Sequence, residues 1–213
     1  MWYSRMIPCA TRSLREVEYR GASALIFLIL LICAFGCSDK RIESGGDVLI
    51  APGVPFVTPG PNELGYRVNA VQLVTARFRG ETYVFQAQID VTPERVTFVG
   101  LDGFGRRALT VTYSGARMDV QAEPWLPAGI RPANMLADVA FIYWPEASVR
   151  GGLVNSAATL RSSSKSRSIE VAGSEVIHVD YDNPEGRPWS GSVRYRNLAY
   201  GYELDVQSVV DHE

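Results

Sequence analysis

The chain has 213 residues, 21 basic and 23 acidic side chains, a net charge of −2, three cysteines and two histidines. That length suits one domain with an appendage and can bury a real core. The charge balance argues against nucleic acid, whose phosphates call for a basic excess, three cysteines are too few for a disulfide scaffold, and two histidines leave little for a metal site.

From Ala22 to Phe35 there is no charged residue. A span of 14 residues is short for a bilayer-crossing helix, which needs roughly 20, and fits the core of a secretory signal. Arg12, Arg15 and Arg20 form the basic flank, diluted by Glu16 and Glu18. Ala34-Phe35-Gly36-Cys37 resembles the lipobox at which bacterial lipoproteins are cleaved and lipidated. The expected arrangement is a signal peptide over residues 1–36, then a lipidated N-terminus and tether over 37–47, then one domain over 48–213. Cys37 would carry the lipid anchor, its thiolate taking a diacylglycerol group, with palmitate among the acyl chains. Cys9 and Cys33 would leave with the signal, so no thiol remains for a disulfide or for catalysis. By the bacterial sorting rule, Ser38 in place of Asp directs such a protein to the periplasmic face of the outer membrane. Removing four arginines and two glutamates leaves 17 basic and 21 acidic side chains, a mildly acidic domain.

Beyond the tether the period is two. Tyr83, Phe85, Ala87, Ile89 and Val91 make one apolar face, bounded by turns at Arg79-Gly80-Glu81 and Thr92-Pro93-Glu94. Leu109, Val111 and Tyr113 alternate next, Ser114-Gly115 turns the chain, and Met118, Val120 and Ala122 resume. Ile177, Val179 and Tyr181 alternate, as do Tyr200, Tyr202, Leu204 and Val206. Short turns between such strands imply an antiparallel sheet. From Pro132 to Trp144 the spacing of Met135, Leu136, Val139 and Ile142 is helical, with Pro132 suited to a first turn and Pro145 as a stop. A second helical turn is expected from Glu146 to Leu153. Arg161 to Ser168 reads as a mobile polar hairpin loop whose charges either face solvent or touch lipid headgroups.

The chemistry of catalysis is missing. There is no Gly-x-Ser-x-Gly elbow, phosphate loop or His-Glu-x-x-His. His178 is expected on the solvent side. Asp180 and Asp182 precede a Pro-Gly loop rather than forming a metal site, so neither enzyme activity, cofactor nor metal is expected. Asp102-Gly103-Phe104-Gly105 is a turn with two readings: Phe104 tucked over the core, or Phe104 as an exposed finger for membrane or acyl chains.

Together, the Cys37 lipobox, Leu49-Ile50-Ala51-Pro52-Gly53, Leu101-Asp102-Gly103-Phe104-Gly105-Arg106-Arg107, Met135-Leu136-Ala137-Asp138, Trp144-Pro145 and Gly201-Tyr202-Glu203-Leu204 resemble the domain-of-unknown-function family 3261 of bacterial lipoproteins. The resemblance implies an α+β, mostly β fold similar to the lipoprotein-localisation proteins LolA and LolB. That fold is a strongly curved antiparallel sheet, an open half-barrel, with one or two helices in its concave face. It also implies a setting beside genes for aryl-polyene or fatty-acid-like synthesis, and hence a lipid or acyl ligand passed to or from a LolA-like carrier or an exporter. Tyr83, Phe85, Ile89, Leu109, Val111, Leu136 and Trp144 are the wall candidates for such a ligand, each equally able to be plain core. The alternative is a scaffold or assembly lipoprotein with a filled core that binds an exporter or synthesis partner.

Overall fold

The computed structural model describes residues 47–127, 129–153, 156–183 and 187–210, all within a unit spanning Asp39–Glu213. Cys9, Cys33, Cys37 and the rest of the expected leader and tether lie outside the described residues. The described residues are mostly β, with two α-helices and one large antiparallel sheet.

The described residues begin with a two-stranded hairpin, β1 (Asp47–Ala51) and β2 (Val54–Val57). A single 3-10 turn follows at Pro61–Leu64. Then β3 (Val68–Phe78), β4 (Glu81–Val91), β5 (Val96–Leu101), β6 (Arg107–Tyr113) and β7 (Met118–Ala122) run as a meander. Two helices come next, α1 (Pro132–Tyr143) and α2 (Glu146–Gly152). A second meander closes the chain: β8 (Ala158–Ser162), β9 (Ser166–Val171), β10 (Ser174–Asp182), β11 (Gly191–Asn197) and β12 (Tyr202–Val210). The last strand pairs with β3, opposing Val206 to Val74, so the meanders fuse into one ten-stranded sheet with β7 and β8 at its edges.

The expected alternation at β4, β6, β7, β10 and β12 is present, with β12 starting at Tyr202 rather than Tyr200. Residues 161–168 depart from the expected mobile loop. Arg161 lies in β8 and Arg167 and Ser168 in β9, joined by a tight turn in which Ser163 Oγ accepts from the amides of Lys165 and Ser166. Arg167 occupies an inward position between strands rather than facing headgroups. Its guanidinium donates to the carbonyls of Phe141 and Trp144 at 2.5 and 2.9 Å. Those carbonyls sit at the C-terminal end of α1, where a cation meets the negative end of the helix dipole.

Helix α1 lies against one face of the sheet, and polar contacts fix its position. The Tyr143 hydroxyl meets Gln72 of β3 and Ser208 of β12, and Tyr181 of β10 donates to the Ile142 carbonyl at 2.7 Å. Beside the helix, Tyr113 of β6 donates to the Thr58 carbonyl, which brings the segment after β2 over the first meander. The space between is solid. Val54, Phe56, Ile89, Val91, Leu109, Val111, Leu136, Phe141, Trp144, Ile169, Ile177 and Tyr195 are all buried in one apolar cluster. Burial at roughly 25 cal/mol per Å² of apolar surface is the main term that holds such a layered domain together.

Candidate functional site

The hairpin between β5 and β6 carries the most exposed of the large apolar side chains described. Asp102 organises it. Its Oδ1 accepts from the amides of Phe104 and Arg106, both at 2.9 Å, an Asx turn built from a carboxylate. Its Oδ2 accepts from Arg106 Nε at 2.8 Å and Nη2 at 2.7 Å. The Gly105 amide returns to the Asp102 carbonyl at 2.9 Å. Gly105 needs φ +76°, a conformation glycine reaches without penalty. Desolvation, the largest influence on Asp102, raises its pKa. The hydrogen bonds and charge of Arg106, with the Phe104 amide, outweigh it and hold the carboxyl below its ordinary value. The turn therefore stays locked at neutral pH.

At its tip Phe104 is 89% exposed. Of the two sequence readings, the tucked one is therefore not the observed state. Arg106 lies 5.7 Å from the Phe104 ring centre and 5.0 Å from that of Trp125, which is 46% exposed. A guanidinium over two rings is a cation–π arrangement. Sequence reading missed Trp125, although Glu123-Pro124-Trp125-Leu126-Pro127 places an aromatic between prolines in a loop. Trp at the boundary of apolar and wet surroundings is a common device, because its ring is apolar and its N–H polar.

The seven wall candidates fall into two groups. Ile89, Leu109, Val111, Leu136 and Trp144 are brought together in the buried cluster. Phe85 packs at its margin, while Tyr83 is half-buried and donates its hydroxyl to Glu81. The depressions among the described residues include two open ones. One, of about 380 Å³, lies between Leu153 and Leu160; the other, of about 330 Å³, lies between Val71, Gln88 and Val99 on the sheet face away from α1. Both are open to solvent, and of the seven only Ile89 borders either. An enclosing pocket that covers most of a ligand is a different kind of site.

Sequence reading also missed a buried polar cluster. Asp138 follows Met135 and precedes Ile142 at helical spacing on the apolar side of α1. It is buried, and its two oxygens accept from Tyr195 at 2.6 Å and Tyr202 at 2.7 Å. Burial lifts its pKa to about 7 against the lowering effect of the two hydroxyls. The signal that could have found it was a carboxylate within an apolar helical stripe, since such a group is rarely buried without partners.

His178 faces outward on β10 as expected, and it is not alone. Nδ1 lies 2.8 Å from Glu175 and Nε2 3.0 Å from Asp180. Asp180 also pairs with Arg196 at 3.0 Å. Among the described residues no cluster of three or more His, Cys, Asp or Glu is placed to hold a metal. Nor is any described helix long and apolar enough to cross a membrane.

Residues 69–210 match the family model described as a protein of unknown function, DUF3261. No curated protein matches the chain.

Proposed function

The chain belongs to the DUF3261 family, and on that premise we propose that it is a lipid-anchored lipoprotein of the outer membrane that binds or relays a lipid or acyl chain in the periplasm. Cys37 is the attachment point and an aryl-polyene-type chain is one ligand of suitable chemistry. The reading carries no catalytic step and no cofactor. The observation behind it is the Phe104 tip. A large apolar ring stands in solvent on a turn fixed by Asp102, with Arg106 and Trp125 beside it. Keeping that ring in water forgoes about 2 kcal/mol of burial, which a contact with acyl chains would recover. The ten-stranded sheet is read as an open, strongly curved half-barrel of the LolA and LolB kind, with α1 in its concave face. Tyr83, Phe85, Ile89, Leu109, Val111, Leu136 and Trp144 then serve as an inner wall only when α1 moves off the sheet. The partners in this reading are the membrane, the acyl ligand and a LolA-like carrier or an exporter.

A second reading has its own observation. Five of the seven wall candidates are packed core, which favours a scaffold or assembly lipoprotein that binds an exporter or synthesis partner through its surface. The full-length chain separates the two. In the lipid-relay reading, Phe104→Ser lowers uptake of a fluorescent acyl probe from vesicles roughly tenfold or more, the equivalent of one buried aromatic ring. The same change leaves unfolding stability within about 0.5 kcal/mol, because the ring packs against little. Equal uptake by both proteins would remove the tip from the account and leave the scaffold.

A further inference from the structure

Strand β1 pairs only with β2 among the described strands and stands outside the ten-stranded sheet. Three side chains hold it by two successive main-chain carbonyls. Asn134 of α1 donates to the Leu49 carbonyl at 2.9 Å, and Tyr200, from the turn between β11 and β12, reaches the same oxygen at 3.3 Å. Asn197 at the end of β11 donates to the Ile50 carbonyl at 2.8 Å. The Asn197 amide nitrogen also lies 3.4 Å from the hydroxyls of both Tyr195 and Tyr202. Those are the two hydroxyls that meet Asp138. A continuous polar path thus runs from the backbone of β1 to a buried carboxyl.

We infer that Asp138 is a proton-operated latch on strand β1: neutral, it keeps β1 seated on α1 and the β11–β12 turn; ionised, it loosens that strand.

The neutral acid suits the dry site. Its O–H can donate to Tyr202, Tyr202 to Tyr195 across 3.5 Å, and Tyr195 back to the second carboxyl oxygen, a closed ring with no net charge. Among the described residues no cation pairs with the carboxylate. It is met by Tyr195 from β11 and Tyr202 from β12; Asn197 lies behind both hydroxyls and on the Ile50 carbonyl of β1, and Tyr200 of the turn lies on the Leu49 carbonyl. Arg167 of β9 is spent on the carbonyls at the C-terminal end of α1. A buried unpaired charge demands water. Of the strands that the cluster's hydrogen bonds reach, β1 is the one outside the ten-stranded ladder.

A carboxyl whose native pKa rises from 3.8 to about 7 contributes stability that is complete below pH 4 and lost as pH climbs through about 7. His178 titrates in the same direction. Desolvation lowers its pKa, but hydrogen bonds to Glu175 and Asp180 outweigh this and raise it overall. It faces the opposite side of β10, away from the cluster, so a variant at 138 separates the two.

The test is hydrogen exchange of the full-length chain in detergent, corrected for intrinsic rates, between pH 5.5 and 8.5. Protection of the Leu49–Ala51 amides should fall roughly tenfold or more in the wild type. It should stay flat in Asp138→Asn, whose amide can still accept from one tyrosine and donate to the other. A flat wild-type profile, or the same fall in Asp138→Asn, overturns the latch. If that variant does not fold, carboxyl ¹³C NMR of the wild type decides: a midpoint near 7 for Asp138 supports it, and one near 4 overturns it.

Discussion

Trp144→Ala is expected to cost about 3–5 kcal/mol of unfolding free energy, read as a fall in the urea midpoint. The indole is 1% exposed at the end of α1. Its Nε1 donates to the Gly60 carbonyl at 3.0 Å, and Trp189 meets it edge-on with ring centres 6.4 Å apart. Truncation leaves a cavity among rigid neighbours and removes one of the two donors to the Gly60 carbonyl, which keeps the Glu63 amide at 3.1 Å. Against a typical total of about 5–15 kcal/mol, the loss brings the domain close to unfolding. The result also bears on function. A cost below about 1.5 kcal/mol would mean that the indole faces yielding space, as a ligand wall does, rather than packed core.

Gly152→Ala should destabilise by about 2–3 kcal/mol, whereas Gly151→Ala, one residue earlier, should be neutral or stabilising by up to about 1 kcal/mol. A Cβ at Gly152 would come 2.4 Å from the Val57 carbonyl and 2.7 Å from the ring of Phe56. Phe56 is fully buried and Val57 lies in β2, so neither can retreat cheaply. At Gly151 a Cβ meets nothing within 4 Å, and alanine is the better helix former. Thermal unfolding of the pair measures how tightly α2 is pressed onto β2. Equal midpoints would show that the hairpin gives way without cost.

What could be read from the chain tracks how simply each face is used. In β4 the inward residues are apolar and the outward ones mostly polar, so the strand declares itself. β3 hides because Gln72 points inward to Tyr143 and Ser208 while Val71 and Leu73 point outward, which flattens the alternation. The sequence of β9 reads as a loop because an inward position holds Arg167, a residue that makes sense only once the end of α1 is in place. Helix α1 was legible from its stripe and its two prolines, yet Asp138 in that stripe was not, since its tyrosine partners come from 57 and 64 residues further along. The turn at Phe104 was visible from its glycines. Its exposure was not, because nothing local says whether a ring between glycines folds back or stands out.

The direct measurement of the central claim is photo-crosslinking from the tip. Benzoylphenylalanine in place of Phe104, in the full-length chain within native membranes, should give adducts with lipid or free acyl chains, while the same group in place of exposed Leu198 should not. Adducts from position 104 that are confined to protein would contradict lipid contact at the tip and make it the docking point of a protein partner.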